Sequence, residues 1–268
     1  MRAAALTYAF ARSNFIIMLT HRVRYVIGVF NYLVYAAVQW YLWGAVFYGE
    51  PKIATWTLEQ TQTYVCLIQV VRSTYFSNAD SQLAGRISKG EIASDLLRPT
   101  ALLLQFYGSA LGELLFRAFF MGLPVGLLLW ACFGLLAPAS LGAALAFAFS
   151  VVLAFHIFFA LNFLTGLLAV FTEKLQGFLW AKFILLQFLS GQLLPLEFFK
   201  PYPTVYAAFD ALPFKGLAHT PLSIYLGRWE PAQVHFELLL QCAWTAALLV
   251  LCECSWRVVR RRLCLLGG

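Results

Sequence analysis

Charge is what this sequence has least of: 12% of its 268 residues are Asp, Glu, Lys or Arg, against 62% that are hydrophobic, and the mean hydropathy is +0.76. That balance excludes both an ordinary soluble globule and a disordered chain, which keep far more polar surface. Acidic residues are the rarer sign, 12 against 19 Lys and Arg, giving a net charge of +7. The basic residues gather at the ends of apolar stretches, where orientation in a bilayer accounts for them, so no nucleic-acid partner is expected.

Chemical constellations are also missing. His21, His156, His219 and His235 are scattered with no ligand spacing, and the cysteines, Cys66, Cys132, Cys242, Cys252, Cys254 and Cys264, fall mostly within apolar sequence as packed thiols. Gly85 to Gly90 has the glycine spacing of a phosphate loop, but Glu91 and Ile92 stand where Lys and Ser or Thr must reach phosphate and magnesium. No Ser, His and acid set can be assembled. The expectation is a non-enzyme with no catalytic residue, no metal and no directly bound cofactor. A cleavable leader is not expected either, so the first span would serve as its own targeting signal.

What is abundant is apolar sequence in lengths that suit a bilayer, about 20 residues each, where a helix is needed to satisfy the backbone internally. Six spans are expected in an all-α polytopic protein with one transmembrane domain over 1–268: Tyr25 to Tyr48, Leu58 to Phe76, Ala118 to Leu136, Leu141 to Phe171, Gly177 to Leu194 and Val234 to Cys254. Residues 1–24 mix apolar and spaced polar positions, as in a helix lying in the interface. Thr57 and Gln60 form a capping-box pattern ahead of span two.

That second span is the least apolar, with Gln60, Gln62, Gln69 and Arg72. A charge at a helix centre costs about 2.5 to 3.5 kcal/mol, so its polar face is expected inside protein and Arg72 near the cytoplasmic end or against another helix. From Thr100 a second interfacial helix, with Glu113 and Arg117 placed to pair, is expected to lead into span three. Residues 194–228, with Pro195, Pro201, Pro203, Pro213 and Pro221, read as short extracellular or re-entrant helices before span six, needing protein cover.

Six spans put both termini on one side together with most Lys and Arg, leaving Lys52, Lys200, Lys215 and Arg228 opposite. By the positive-inside rule the termini are cytoplasmic, in a bacterial inner (plasma) membrane, and so is the polar interval 77–99. There Leu83, Ile87, Ile92, Leu96 and Leu97 interleave with charges as in two short amphipathic helices broken at Gly90. Arg72, Glu113, Arg117, His156, Asn162, Gln187 and Gln192 are candidates for an intramembrane polar path. Polar side chains also join packed helices, at about 0.6 kcal/mol per contact, and Glu113 with Arg117 can simply neutralise each other.

Ser88 to Pro99, SKGEIASDLLRP, resembles a motif of type-2 ATP-binding-cassette (ABC-2) permeases in the six-span branch without a fused ATPase. The similarity continues through FLSGQLLPL at Phe188 to Leu196, Leu212 to Phe214, SIYLG at Ser223 to Gly227 and the Arg260 to Gly268 end, so it covers the whole chain. The resemblance implies an exporter of two permeases, identical or homologous, with two copies of a separate ATPase that carries ATP and Mg, all among membrane lipids. It also implies a coupling helix at Asn78 to Asp95, with Asp80, Gln82, Leu83, Arg86, Ile87, Lys89 and Glu91 facing the ATPase. The alternative is an ATPase-independent secondary transporter or channel relaying ions through Glu113, Arg117 and His156, for which an inverted repeat would speak; none is seen. The many Phe, Tyr and Trp permit a lipid-like cargo.

Overall fold

A computed structural model describes residues 2–20, 22–97, 100–172 and 175–266. Regular structure among them is helical, with α1 (Arg2–Thr20), α2 (Arg22–Val46), α3 (Leu58–Tyr75), α4 (Ala79–Ser88), α5 (Ile92–Leu96), α6 (Leu102–Arg117), α7 (Leu123–Phe133), α8 (Leu141–Leu167), α9 (Gln176–Leu189), α10 (Pro203–Ala211), α11 (His219–Tyr225) and α12 (Pro231–Leu266).

Among the described residues, four helical stretches are long and apolar enough to cross a membrane: Tyr25–Val46, Leu102–Phe133, Leu141–Val170 and Pro231–Arg261. The two other expected spans fall short for different reasons. α3 opens on the expected capping box, with the Gln60 amide donating to Thr57 Oγ1 and the Thr57 amide to Gln60 Oε1, each at 3.3 Å. It is the innermost helix: Thr61, Gln62, Thr63, Gln69 and Ser73 are buried along with Tyr64, Cys66, Ile68 and Val71. Hydropathy scores contact with lipid, and a helix clothed in protein is free to be polar. α9 has 14 residues, about 21 Å at the helical rise, against a core of about 30 Å.

The helix expected to start in the interface from Thr100 and span three form one continuous stretch. Leu102 to Phe133 is helical throughout, passing from α6 to α7 through one wider π turn, Ala118–Gly122, where the Leu123 amide bonds back to the Ala118 carbonyl. Pro124 cannot donate to the carbonyl four residues earlier, and the wider turn absorbs that missing bond. The helix stops at Phe133 rather than Leu136, and α12 overruns the expected Val234 to Cys254 at both ends.

α1 lies along α6 rather than standing alone. A Cβ on Gly112 would sit 2.1 Å from the Ala11 carbonyl oxygen, and one on Gly108 2.8 Å from Phe10 Cβ, so this pair of small residues four apart lets the two backbones touch. Asn14 Nδ2 fastens the contact by donating to the Ser109 carbonyl at 2.6 Å.

Residues 194–228 fold as α10, α11 and two short 3-10 helices; α11 and the 3-10 helix before it are covered by protein as their backbone requires, whereas α10 is mostly exposed and buries only Phe209. The Tyr225 hydroxyl donates to the Leu136 carbonyl at 3.0 Å, and the His219 amide to the Ser190 carbonyl at 3.1 Å.

Candidate functional site

The polar interval after α3 folds as a helical hairpin. α4 turns its Ala79, Asp80, Leu83 and Ala84 face inward against α8, where a Cβ on Gly166 would come within 3.0 Å of the Asp80 carbonyl oxygen and Leu83 Cβ. Gly90, at φ +72°, makes the left-handed turn into α5. Arg86 then reaches back across the hairpin, donating from Nη1 to Asp95 Oδ2 at 2.5 Å, with its guanidinium 5.9 Å from the Phe106 ring centre. Gln82, Lys89 and Glu91 stay exposed and Ile87 half-buried. Arg98 and Pro99, at the end of the expected element, lie outside the described residues.

Directly against the first turn of α4 is a cavity of about 540 Å³, walled by α2, α3, α8 and α9 and floored by Asn78, Asp80 and Ser81. One polar chain runs along its base. Lys182 on α9 pairs with Asp80 Oδ2 and donates to Asn162 Oδ1 at 2.6 Å; Asn162 Nδ2 in turn donates to the Ser77 carbonyl at 2.9 Å. The other Asp80 oxygen accepts the Ser81 amide at 2.7 Å. The start of α4 is thereby tied to both α8 and α9.

α3 faces the same space with Gln69, Arg72, Tyr75 and Phe76, spaced as one side of a helix. Arg72 sits in the last turn of α3, where the helix dipole favours a cation, with its guanidinium 4.8 Å from the Phe183 ring centre. Gln192 donates to the Tyr75 hydroxyl at 3.2 Å. Asn31, Tyr32 and Tyr35 complete the α2 side, and Phe158, Trp180 and Phe183 supply more aromatic surface.

The expected path residues thus divide. Arg72, Asn162, Gln187 and Gln192 line the cavity, whereas Glu113, Arg117 and His156 do not. Arg117 Nε donates to Glu113 Oε1 at 2.8 Å, and its guanidinium lies 5.6 Å and 5.1 Å from the rings of Tyr25 and Phe76. His156 Nδ1 is 2.7 Å from the Val152 carbonyl, which can only accept, so Nδ1 carries a proton, and Nε2 is 2.8 Å from the Tyr107 hydroxyl. Of the expected ATPase-facing residues, Asp80 and Leu83 point inward.

Lys182 was legible only as an inside-facing cation, yet a lysine within an apolar helix is itself a functional signal. Gln69 was legible as part of the polar face of span two, whereas Tyr32 and Tyr35 gave no separate sign, because aromatic rings in a span also serve as interfacial anchors.

At the opposite end of α3 the cations are engaged, although Trp56 Nε1 and Arg228 Nε are buried there without a hydrogen-bond partner. Lys215 is buried between Asp210, at 2.8 Å, and Glu237, at 2.9 Å. Arg228 donates to the Thr55 carbonyl at 3.0 Å, Thr55 Oγ1 at 2.6 Å and Gln60 Oε1 at 3.2 Å, and its guanidinium is 4.4 Å from the Trp56 ring centre. Gln241 joins α12 to α8 and to the 3-10 turn by donating to the carbonyls of Ser150 and Gly216, both at 2.9 Å.

Against known families, residues 33–265 match the model described as ABC-2 family transporter protein, a stretch that includes α3 to α11, the hairpin and every cavity-lining residue but Asn31 and Tyr32. Comparison with curated proteins gives no match.

Proposed function

The chain belongs to the ABC-2 transporter family, an integral membrane family of transport permeases, and from that premise we propose that it is the non-catalytic permease subunit of an exporter driven by a separate ATPase. Two permeases, identical or related, form the path, and two ATPase subunits carry the ATP and Mg. α3 and α9 cross the inner membrane with the four longer spans, α3 shielded by its neighbours. Both termini and the α4–α5 hairpin then face the cytoplasm.

One observation carries this reading: the floor of the cavity is the first turn of the element expected to dock with the ATPase. A displacement of α4 is passed through Asp80 to Lys182 and Asn162, and so to the cavity walls on α9 and α8. ATP closure needs a contact that differs between two states in order to do work on the path. The Asp80–Lys182 pair is that contact, made in this state and loosened when the hairpin is pushed. Exposed Gln82, Lys89 and Glu91 set the register against the ATPase, and half-buried Ile87 enters its groove.

A relay of ions through Glu113, Arg117 and His156 draws no support, since the first two are spent on each other and the third is held by Tyr107 and Val152. Affinity purification of the tagged chain from native membranes is the test. An associated Walker-type ATPase is expected, whose turnover rises with the permease present. Uphill transport by the purified chain alone would overturn the proposal.

A further inference from the structure

We propose that the cavity takes an amphipathic anion, its acidic group held by Arg72 and Gln69 and its apolar part laid against the aromatic wall. This rests on the cavity being the translocation site and adds the class of cargo. Charge comes first. The ionised residues on the wall are Arg72, Lys182 and Asp80, two cations against one carboxylate. Lys182 is spent on Asp80 and Asn162. Arg72 is not: among the described residues its side chain has the Phe183 ring beneath it and no hydrogen bond or ion pair. A guanidinium offers five N–H donors in a planar fork that matches a carboxylate or phosphate, and it cannot shed its charge.

The second observation is independent of charge. Gln69, one turn before Arg72 on the same face, is only 2% exposed, lines the cavity and makes no side-chain hydrogen bond among the described residues. With no protein partner, that amide is open to the cavity and can donate to and accept from whatever enters it. Gln187 and Asn31 add uncommitted amides on facing helices. Tyr32, Tyr35, Phe158 and Phe183 give this polar corner an apolar surround, and the volume falls in the range of about 300–1,000 Å³ usual for small-ligand pockets. A cationic or neutral amphiphile leaves the guanidinium unmatched, and a small hydrophilic anion leaves the rings unused.

The test uses the full chain in phosphatidylcholine nanodiscs, titrated with three probes of one chain length: dodecyl phosphate, dodecyltrimethylammonium and monododecyl glycerol. Saturable binding of the phosphate, one per chain, is expected, with neither other probe competing. Arg72→Gln should weaken it at least about tenfold, the loss of a hydrogen bond to a charged group, and Arg72→Lys by less. Asn31→Asp, which cancels the excess positive charge without touching α3, should also weaken the phosphate while leaving the thermal unfolding of the chain unchanged.

Repeating the titration with phosphatidylglycerol in the disc separates the sources. If the lipid blocks the probe, the anion is a membrane lipid; if the probe still binds, it is a free amphiphile. Equal binding of the cationic probe, or undiminished phosphate binding in Arg72→Gln, would overturn the inference. Loss of the anion site with the ATPase still associated refutes only the cargo class. An Arg72-dependent site on a chain that copurifies with no ATPase refutes the coupling instead.

Discussion

The two ends of α3, about 27 Å apart at the helical rise, use their polar residues in opposite ways. Toward Thr57 the cations have partners: buried Lys215 lies between two carboxylates, and half-buried Arg228 donates to Thr55 and Gln60 over the Trp56 ring, with only its Nε left over. Beside Tyr75 there is a cavity, with Arg72 and Gln69 uncommitted and a single ion pair, Asp80–Lys182, bridging the hairpin to the helices. Charges held by partners fix one arrangement, whereas charges left available are what a ligand or a moving element can engage. The end with its cations engaged is built to stay shut and the other to change.

The largest test of that contrast is Lys215→Met. It strands Glu237, whose side chain is 6% exposed, and removing one partner of a buried pair costs about 3–5 kcal/mol. A steep fall in unfolding temperature is expected, largely recovered by adding Glu237→Gln. A small effect would mean that the end near Thr57 is not held by its ion pairs.

Lys182→Ala comes next. Its pair with Asp80 borders the cavity, where water screens it, so the cost is about 2 kcal/mol, between the buried and exposed limits. Its effect on function is expected to be larger, with ATPase stimulation lost because α4 no longer pulls on α9. The swap Asp80→Lys with Lys182→Asp should recover stability. If single and double variants stimulate alike, the bridge does not transmit.

A smaller effect appears with pH. Burial lowers the pKa of His219, only partly opposed by the Glu197 carboxylate 3.6 Å away. The unfolded chain takes up a proton near pH 6.5 while the folded one does not, so stability falls as pH drops below that value, by at most about 1.4 kcal/mol per pH unit. His219→Gln should flatten the fall in unfolding temperature between pH 7.5 and 5.5; an unchanged slope would assign acid sensitivity to other groups.

Much of this was legible in sequence because it follows local rules. The Thr57–Gln60 cap, the break at Gly90 and the burial of the polar face of α3 each need only a few neighbouring residues or one energetic argument. The cavity was legible in part: Asn162, Gln187 and Gln192 stand out in apolar sequence, but that Lys182 meets Asp80 across 102 positions is a fact of packing. That α6 and α7 form one helix through a wider turn before Pro124 was not legible, because only the packed backbone shows which turn takes up the bond that Pro124 cannot make.

The smallest effect on stability should carry the sharpest information about function. Arg86→Glu is a poor probe, since the new carboxylate would face Asp95, buried at 2% exposure, and damage to the hairpin would mimic lost docking. Lys89 and Glu91 stand exposed on either side of Gly90, and substitutions at such positions change stability by no more than about 0.5 kcal/mol. In Lys89→Glu combined with Glu91→Lys the unfolding temperature should stay put while ATPase copurification and stimulation disappear, because rim charges set register with a partner. If the ATPase stays bound and stimulated, the partner does not dock on this side of the hairpin. The Asp80–Lys182 bridge would then have nothing to transmit, and the two ends of α3 would differ in packing alone.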